Sequence, residues 1–171
     1  MITRLGEFLR ATLDDRQSEV TLERELTLVD TYLEIERARF GERLQVTIQA
    51  DPEVLDAYVP TLLLQPLVEN AVRHGVSRQT AAGQVTVHAE PRDGRLHLVV
   101  MDNGPGWSGE RPQLGVGLRN TQERLRHLFG DDYAFHVGNR NGGGAEIQVE
   151  LPLRRRASME HPAADAKVVA G

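Results

Sequence analysis

Asp102 stands at the end of an apolar run, Leu96-His97-Leu98-Val99-Val100-Met101, and is followed at once by Asn103-Gly104-Pro105-Gly106. The run reads as a strand, and apolar neighbours cannot hydrate a carboxylate, so Asp102 needs hydrogen-bond donors from elsewhere. The exocyclic amine of a purine is one such donor. A second polar group, Glu69-Asn70 with Arg73 and His74, falls late on an otherwise apolar helix, where unpaired polar side chains are costly. The Asn70 amide oxygen suits Mg²⁺, which takes hard oxygen ligands and keeps waters. Glu69 could polarise a water or hydroxyl, and Arg73 could meet phosphate. The third group, Leu114-Gly115-Val116-Gly117-Leu118-Arg119-Asn120, puts two glycines at the mouth of a helix, where backbone N–H groups can approach an anion. Read singly, each group is ordinary: a turn, a helix end stopped by Gly75, a glycine pair. Their coexistence in one small chain is what points to a nucleotide.

The elements that must position these groups follow from periodicity. Ile2, Leu5, Leu9 and Leu13 have helical spacing over residues 2–14. Over residues 21–40, Leu22, Leu26, Val29, Leu33 and Phe40 recur at gaps of four, three, four and seven. Thr21 can cap that helix, Glu23 and Glu25 suit its positive end, and Gly41 can stop it. Its stripe could lie on the domain's own core or pair with a second subunit. From Leu44 the period becomes two, in Leu44, Val46 and Ile48, then in Val85, Val87 and Ala89, and later in Ile147, Val149 and Leu151. Between the first two strands, Thr61 to His74 reads as an apolar helix. Pro91-Arg92-Asp93-Gly94 should turn one strand back on the next. A helix is expected from about Val116 to Phe129, then a short strand near Phe135 and a flexible Asn139–Gly144 loop. The order helix, strand, helix, strand, strand, helix, strand, strand predicts an α+β, two-layer sandwich whose mixed, mostly antiparallel sheet carries its helices on one face. The polar stretch Trp107–Gln113 could be a mobile flap.

Composition sets the outer limits. The chain has 171 residues, is 40% hydrophobic and 26% charged, and so can bury one real core with appendages. A formal charge of −5, with acids and bases interspersed, argues against a general nucleic-acid surface. The absence of cysteine excludes disulfides and thiolate metal sites and fits a reducing cytoplasm. No apolar run approaches the roughly 18 residues of a membrane span. The dinucleotide fingerprint fails, because the position three beyond Gly117 is Asn120.

Together the three groups resemble the nucleotide site of the GHKL ATPases, whose Bergerat fold is the sandwich just described. Glu69-Asn-Ala-Val-Arg-His-Gly75 resembles the N box of that superfamily, Asp102-Asn-Gly-Pro-Gly106 its G1 box and Gly115-Val-Gly-Leu118 its G2 box. More narrowly, Gln65-Pro-Leu-Val-Glu-Asn-Ala-Val-Arg-His-Gly75 and Glu25-Leu-Thr-Leu-Val-Asp-Thr-Tyr-Leu-Glu-Ile-Glu-Arg-Ala-Arg-Phe-Gly41 resemble LytS-type sensor histidine kinases. The resemblance runs from about residue 3 to 153. It implies that the domain binds ATP with Mg²⁺ and passes the γ-phosphoryl group to a histidine. Asp102 would accept from the adenine amine, with Gly104 and Gly106 opening the turn beside the base. Asn70 would hold Mg²⁺, and Glu69 would orient or activate the attacking group. Gly115, Val116, Gly117 and Leu118 would meet phosphates under a lid of about residues 104–116. Arg73, His74, Asn120 and Arg124 would make lesser phosphate or ribose contacts, and Gly142-Gly143-Gly144 would pack near the base.

One departure stands out. The family's acceptor histidine lies on a helix preceding this domain, yet the six histidines here (His74, His88, His97, His127, His136, His161) all lie in or beyond it. The expectation is therefore a fragment: residues 1–40 as the remnant of dimerisation and linker helices, 41–153 as the ATP-binding domain and 154–171 as a disordered tail. Its expected partners are ATP, histidine-bearing dimerisation helices of a homodimeric full-length kinase, and a response regulator. A docking module with negligible turnover and a serine kinase of the anti-sigma-factor type are the alternatives.

Overall fold

A computed structural model describes residues 18–76, 82–108 and 112–155. In chain order the first elements are β1 (Glu19–Thr21), α1 (Leu22–Phe40), β2 (Leu44–Ala50), β3 (Tyr58–Pro60) and α2 (Leu64–Ala71). Then come a π-helical turn (Val72–Val76), β4 (Gly83–Arg92), β5 (Arg95–Asp102), α3 (Val116–Phe129), β6 (Ala134–Asn139) and β7 (Ala145–Pro152).

Thr21 caps α1 as its residue type predicts, its Oγ1 accepting the Arg24 N–H at 3.3 Å, and Gly41 closes the helix at φ 59°. Leu22, Val29 and Leu33 are buried in the same core as the strands, with Leu26 and Phe40 packed at its edge. Of the two uses expected for that stripe, the described residues show the intramolecular one.

Five strands form one sheet in the order β2-β4-β5-β7-β6. β2 and β4 run parallel and the other neighbours antiparallel, so the sheet is mixed and mostly antiparallel as expected. Register settles which face each side chain takes. Leu98 of β5 lies opposite Ala89 and Val149, and Val100 opposite Val87 and Ile147, so these residues form one buried face. The period of two carries Asp102 onto that same inner face, opposite Val85. Leu67 and Val68 of α2 and Leu118, Leu125 and Phe129 of α3 join the same buried cluster. The β4–β5 hairpin turns through Asp93 and Gly94, at φ 51° and 74°, while Pro91 and Arg92 stay in β4. Two residues of positive φ form the tight turn that matches strand twist.

Three expectations need correction. The helix expected from Thr61 begins only at Leu64, because Leu62 takes φ 60° in a tight entry turn, and past Ala71 it widens into the π-helical turn. β1 and β3, unread in the sequence, pair antiparallel as a separate two-stranded sheet. Arg154 and Arg155, assigned to the tail, are held. The Arg154 carbonyl accepts the Tyr58 N–H at 2.8 Å, its guanidinium sits 4.6 Å over the Phe129 ring, and Arg155 Nη2 donates to the Glu53 carbonyl at 2.6 Å. The helix expected at 2–14 and the tail from 156 lie outside the described residues.

The cap bond of Thr21 should be measurable. Thr21→Ala is expected to lower unfolding stability by about 1 kcal/mol, as loss of an N-cap does. Thr27→Ala, which removes only an exposed hydroxyl bonded to the Glu23 carbonyl within the helix, should stay within about 0.5 kcal/mol. Equal effects of the two in urea unfolding would remove the capping explanation.

Candidate functional site

Asp102 is 3% exposed, and the hydrogen bonds that its carboxylate accepts from described residues both fall on one oxygen. Oδ1 accepts the Gly104 N–H at 2.7 Å and the Ala145 N–H at 3.4 Å, which leaves Oδ2 for a ligand. Burial pushes the Asp102 carboxyl above its ordinary range, and the two N–H groups, His74 and Arg140 pull the other way. The surroundings are crowded. A Cβ on Gly75 would stand 2.7 Å from the Asp102 Cβ, and one on Gly104 would stand 2.7 Å from the Gly75 Cα. One on Gly144 would overlap the Asp102 carbonyl oxygen. Three backbone segments can close on Asp102, two on its side chain and one on its carbonyl, only because each presents glycine there.

The neighbouring Asn103 is structural. Its Oδ1 accepts the Gln84 N–H at 2.7 Å and its Nδ2 donates to the Ala82 carbonyl at 3.1 Å, continuing the β4–β5 pairing past the last strand residue. Gly106 turns at φ 75°, and Trp107 is then tied to β6: its N–H donates to Asn139 Oδ1 at 2.6 Å and its carbonyl accepts from Asn139 Nδ2 at 3.0 Å. Arg140 Nη1 donates to the Asp102 carbonyl at 3.2 Å.

A cavity of about 390 Å³ opens beside Asp102, a size suited to a small-molecule ligand. Asn70, Arg73, His74, Asp102, Gly106, Trp107, Ser108, Gln113, Gly115 and Ala145 line it. A second cavity of about 240 Å³ shares Asn70, Arg73, His74 and Gly115 and adds Pro66, Glu69, Val116, Gly117 and Leu118. The two form one trough from Asp102 to the N-terminus of α3. There Gly115 takes φ −66° and ψ 171° and lends no side-chain cap, so the first N–H groups of α3 stay open to an anion. The Asn70 carboxamide forms no hydrogen bond with a described residue, whereas exposed Glu69 accepts from Gln65 Nε2 at 2.7 Å. Among the described residues no group of three or more His, Cys, Asp or Glu side chains is arranged to hold a metal ion. A cation here would therefore take most of its ligands from the substrate and water.

Most residues singled out in the sequence meet in this trough. Gly104 instead packs beneath it, against Gly75 and the His74 carbonyl. Asn120 is exposed on α3 and lines neither cavity. Arg124 is redirected, its Nη1 donating to the Thr61 carbonyl, because the face of α3 that carries it meets the entry turn of α2. Of the expected glycine triplet, Gly144 is buried against Asp102 as described. Asn139 and Ala145 were missed: a lone Asn in a glycine-rich loop and a strand-edge Ala carry no pattern of their own.

A family model described as histidine kinase-, DNA gyrase B- and HSP90-like ATPase matches residues 56–155, and one described as histidine kinase matches residues 1–44. Among curated relatives, the sensor protein LytS of Oceanobacillus iheyensis is 34% identical over 90% of this chain and 29% of its own length. The sensor histidine kinase YesM of Bacillus subtilis is 34% identical over 90% of this chain and 27% of its own. The sensor histidine kinase BtsS of Escherichia coli is 36% identical over 92% and 28%. The chain thus spans under a third of the length of these relatives. The histidine kinase domain of the Erythrobacter litoralis blue-light activated histidine kinase superposes with a TM-score of 0.62 at 20% identity, over 88% of this chain and 78% of that one. The catalytic domain of histidine kinase ThkA does so at 0.61 and 17%, over 79% and 95%. At such identities the likeness shows the α+β fold.

Two outcomes follow from the crowding and charge at Asp102. Gly144→Ala meets both a positive φ of 94° and the Asp102 carbonyl, and should cost at least about 1–3 kcal/mol, while Gly138→Ala, in open space, should stay within about 0.5 kcal/mol. Asp102→Asn keeps an oxygen for both N–H groups and removes the buried charge. Because the native carboxyl is raised, ionisation penalises the folded state as pH climbs from the ordinary carboxylate value through the native one. The stability advantage of Asp102→Asn should therefore be small below about pH 4 and grow toward neutrality. An advantage that does not vary with pH would refute the charge explanation.

Proposed function

Since this chain belongs to the histidine kinase-, DNA gyrase B- and HSP90-like ATPase family, we propose that it acts as the ATP-binding catalytic domain of a sensor histidine kinase. In this reading it moves the γ-phosphoryl group of ATP to a histidine carried on dimerisation helices outside this sequence. The observation that carries the reading is the Asp102 carboxylate, buried with one oxygen satisfied and the other left for a donor, at one end of a trough that ends at an open helix N-terminus.

The residue roles follow from that geometry. Asp102 Oδ2 accepts from the adenine exocyclic amine, and its own hydrogen bonds hold it still, so binding needs no reorganisation there. Trp107, pinned through Asn139, walls the same end. The phosphates run toward α3, where Gly115, Val116, Gly117 and Leu118 present backbone N–H groups and the helix dipole favours their charge. Arg73 and His74 line both cavities, and the Arg73 guanidinium adds positive charge along the way. Asn70 fits Mg²⁺ by its hard amide oxygen, which no described residue engages, and Mg²⁺ would neutralise phosphate charge when bound. Glu69, exposed at the phosphate end, orients the incoming imidazole. Phosphoryl transfer asks little covalent chemistry of the protein, so positioning and charge are the contributions to expect.

On this reading residues 41–153 carry the nucleotide site of the catalytic domain, and residues 1–40 belong to the dimerisation and linker region, of which α1 packs into the catalytic core. The full-length protein is a homodimer, its phosphohistidine supplies a response regulator, and the domain works in the cytoplasm.

Asp102→Asn puts an amide N–H₂ against the adenine amine, donor against donor. ATP affinity, read by calorimetry, is expected to fall at least tenfold, equivalent to about 1.4 kcal/mol. Mixing the chain with a separately made histidine-bearing helix pair and γ-labelled ATP should yield acid-labile phosphohistidine. Unchanged ATP binding in Asp102→Asn would end the site assignment, and binding without any transfer would end the kinase assignment.

A further inference from the structure

Glu25 is the one fully buried carboxylate among the described residues, with no exposed surface, and the site just described does not use it. It projects from α1 onto the entry of α2. Its Oε1 accepts the Leu62 N–H at 2.6 Å and its Oε2 accepts the Leu64 N–H at 2.9 Å. The Leu63 N–H also faces it, and Arg124 of α3 adds a favourable charge. The Leu63 and Leu64 N–H groups are among those that an α-helix cannot satisfy internally, and Leu62 lies one residue before its N-cap. α2 has no capping side chain of its own, since its N-cap is Leu63, and no acid in its first turn. A carboxylate borne by a different helix supplies both the missing acceptors and the charge that the helix dipole favours. Leu62 is held at φ 60°, a conformation uncommon for such a side chain, and its N–H makes the shorter of the two bonds.

The same joint reaches the third helix. Arg124 Nη1 donates to the Thr61 carbonyl, one residue before the strained turn. α1, α2 and α3 therefore meet at one buried polar point. α2 is only eight residues long, about 12 Å, and carries Glu69 and Asn70 in its last turn, with Arg73 and His74 directly beyond. So short and well packed a helix moves as a unit, and whatever sets its N-terminus also sets its C-terminal side chains.

We propose that Glu25 is a positioning residue: by capping α2 from α1 it places Asn70, Glu69 and Arg73 at the phosphate end of the trough, so that binding there depends on how α1 is docked. The inference rests on the nucleotide reading above. It separates the two ends of the site. Asp102 takes its hydrogen bonds from Gly104 and Ala145 and meets the end of α2 only through the Gly75 backbone, whereas Asn70, Glu69 and Arg73 take their side-chain positions from α2 itself and the turn directly beyond it. Glu25→Gln keeps the shape but must turn an amide N–H₂ toward either the Leu62 or the Leu64 N–H, so one of the two bonds is lost and replaced by a donor–donor contact.

The test compares Mg²⁺·ATP with adenosine on the 171-residue chain, read by the fluorescence of Trp107, its only tryptophan. Glu25→Gln should weaken Mg²⁺·ATP by about tenfold or more. Adenosine, which engages only the Asp102 end, should change less than about twofold. A merely structural loss would weaken both together. Thermal melting reports whether the variant is folded, and if it is not, Leu62→Gly in the Glu25→Gln background relieves the positive φ and is judged by the same ratio. Equal weakening of both ligands, or none, overturns the positioning role. Wild-type protein that binds neither ligand overturns the nucleotide reading itself, and the positioning role with it.

Discussion

The buried carboxylate of Asp102 is the constraint around which this molecule is arranged. A charge at the end of a central strand is tolerable only if donors reach it at close range, and the donors here are backbone N–H groups of Gly104 and Ala145. Backbone can come that close only where side chains are absent, so Gly75, Gly104 and Gly144 surround it from three directions. The end of α2, the turn after β5 and the start of β7 are thereby tied to one group. Burial still raises the Asp102 carboxyl, so the native state holds this charge at some expense to stability. A group kept in that condition is suited to accept a donor from a ligand.

The trough that follows has two supports of different kind. At the Asp102 end, Asp102 and Ala145 come from the sheet, where β5 is paired on both sides, and Asn139 at the end of β6 fastens Trp107 by two hydrogen bonds. At the far end the walls belong to the short helix α2 and the first turn of α3, which pack on the sheet through apolar contacts. Sheet pairing is directional, whereas helix packing allows small sliding. The Asp102 end is consequently the fixed reference and the α3 end the adjustable one. Glu25 and Arg124 add directional bonds at the joint where α1, α2 and α3 meet, the place where such sliding would begin.

Several errors of reading share one cause. Leu62-Leu63-Leu64 is a continuous apolar run, so nothing in it marks where helix replaces turn; the boundary is set by Glu25, 37 residues away. Glu25 itself reads as an acid serving its own helix, because sequence shows the residues beside it along the chain and not those across the core. Arg124 reads as a spare cation for phosphate, and the packing of α3 gives it to the Thr61 carbonyl instead. β1 and β3 are three residues each, too short to show a period of two. By contrast the caps Thr21 and Gly41 and the turn at Asp93-Gly94 were legible, since each depends on the conformation of one or two residues.

The sequence by itself determined the alternation that faces Asp102 inward, the glycines that admit backbone beside it, the order of the strands and helices along the chain, and the three polar groups that line the trough. These are local properties, carried by side-chain period and by allowed φ and ψ. Tertiary structure decided which oxygen of Asp102 is left for a ligand, that Asn139 rather than the loop glycines secures Trp107, and that α2 is capped by a carboxylate from another helix. Each of those depends on where distant backbone N–H groups come to rest, and a buried donor or acceptor takes whichever partner the packed core brings within reach.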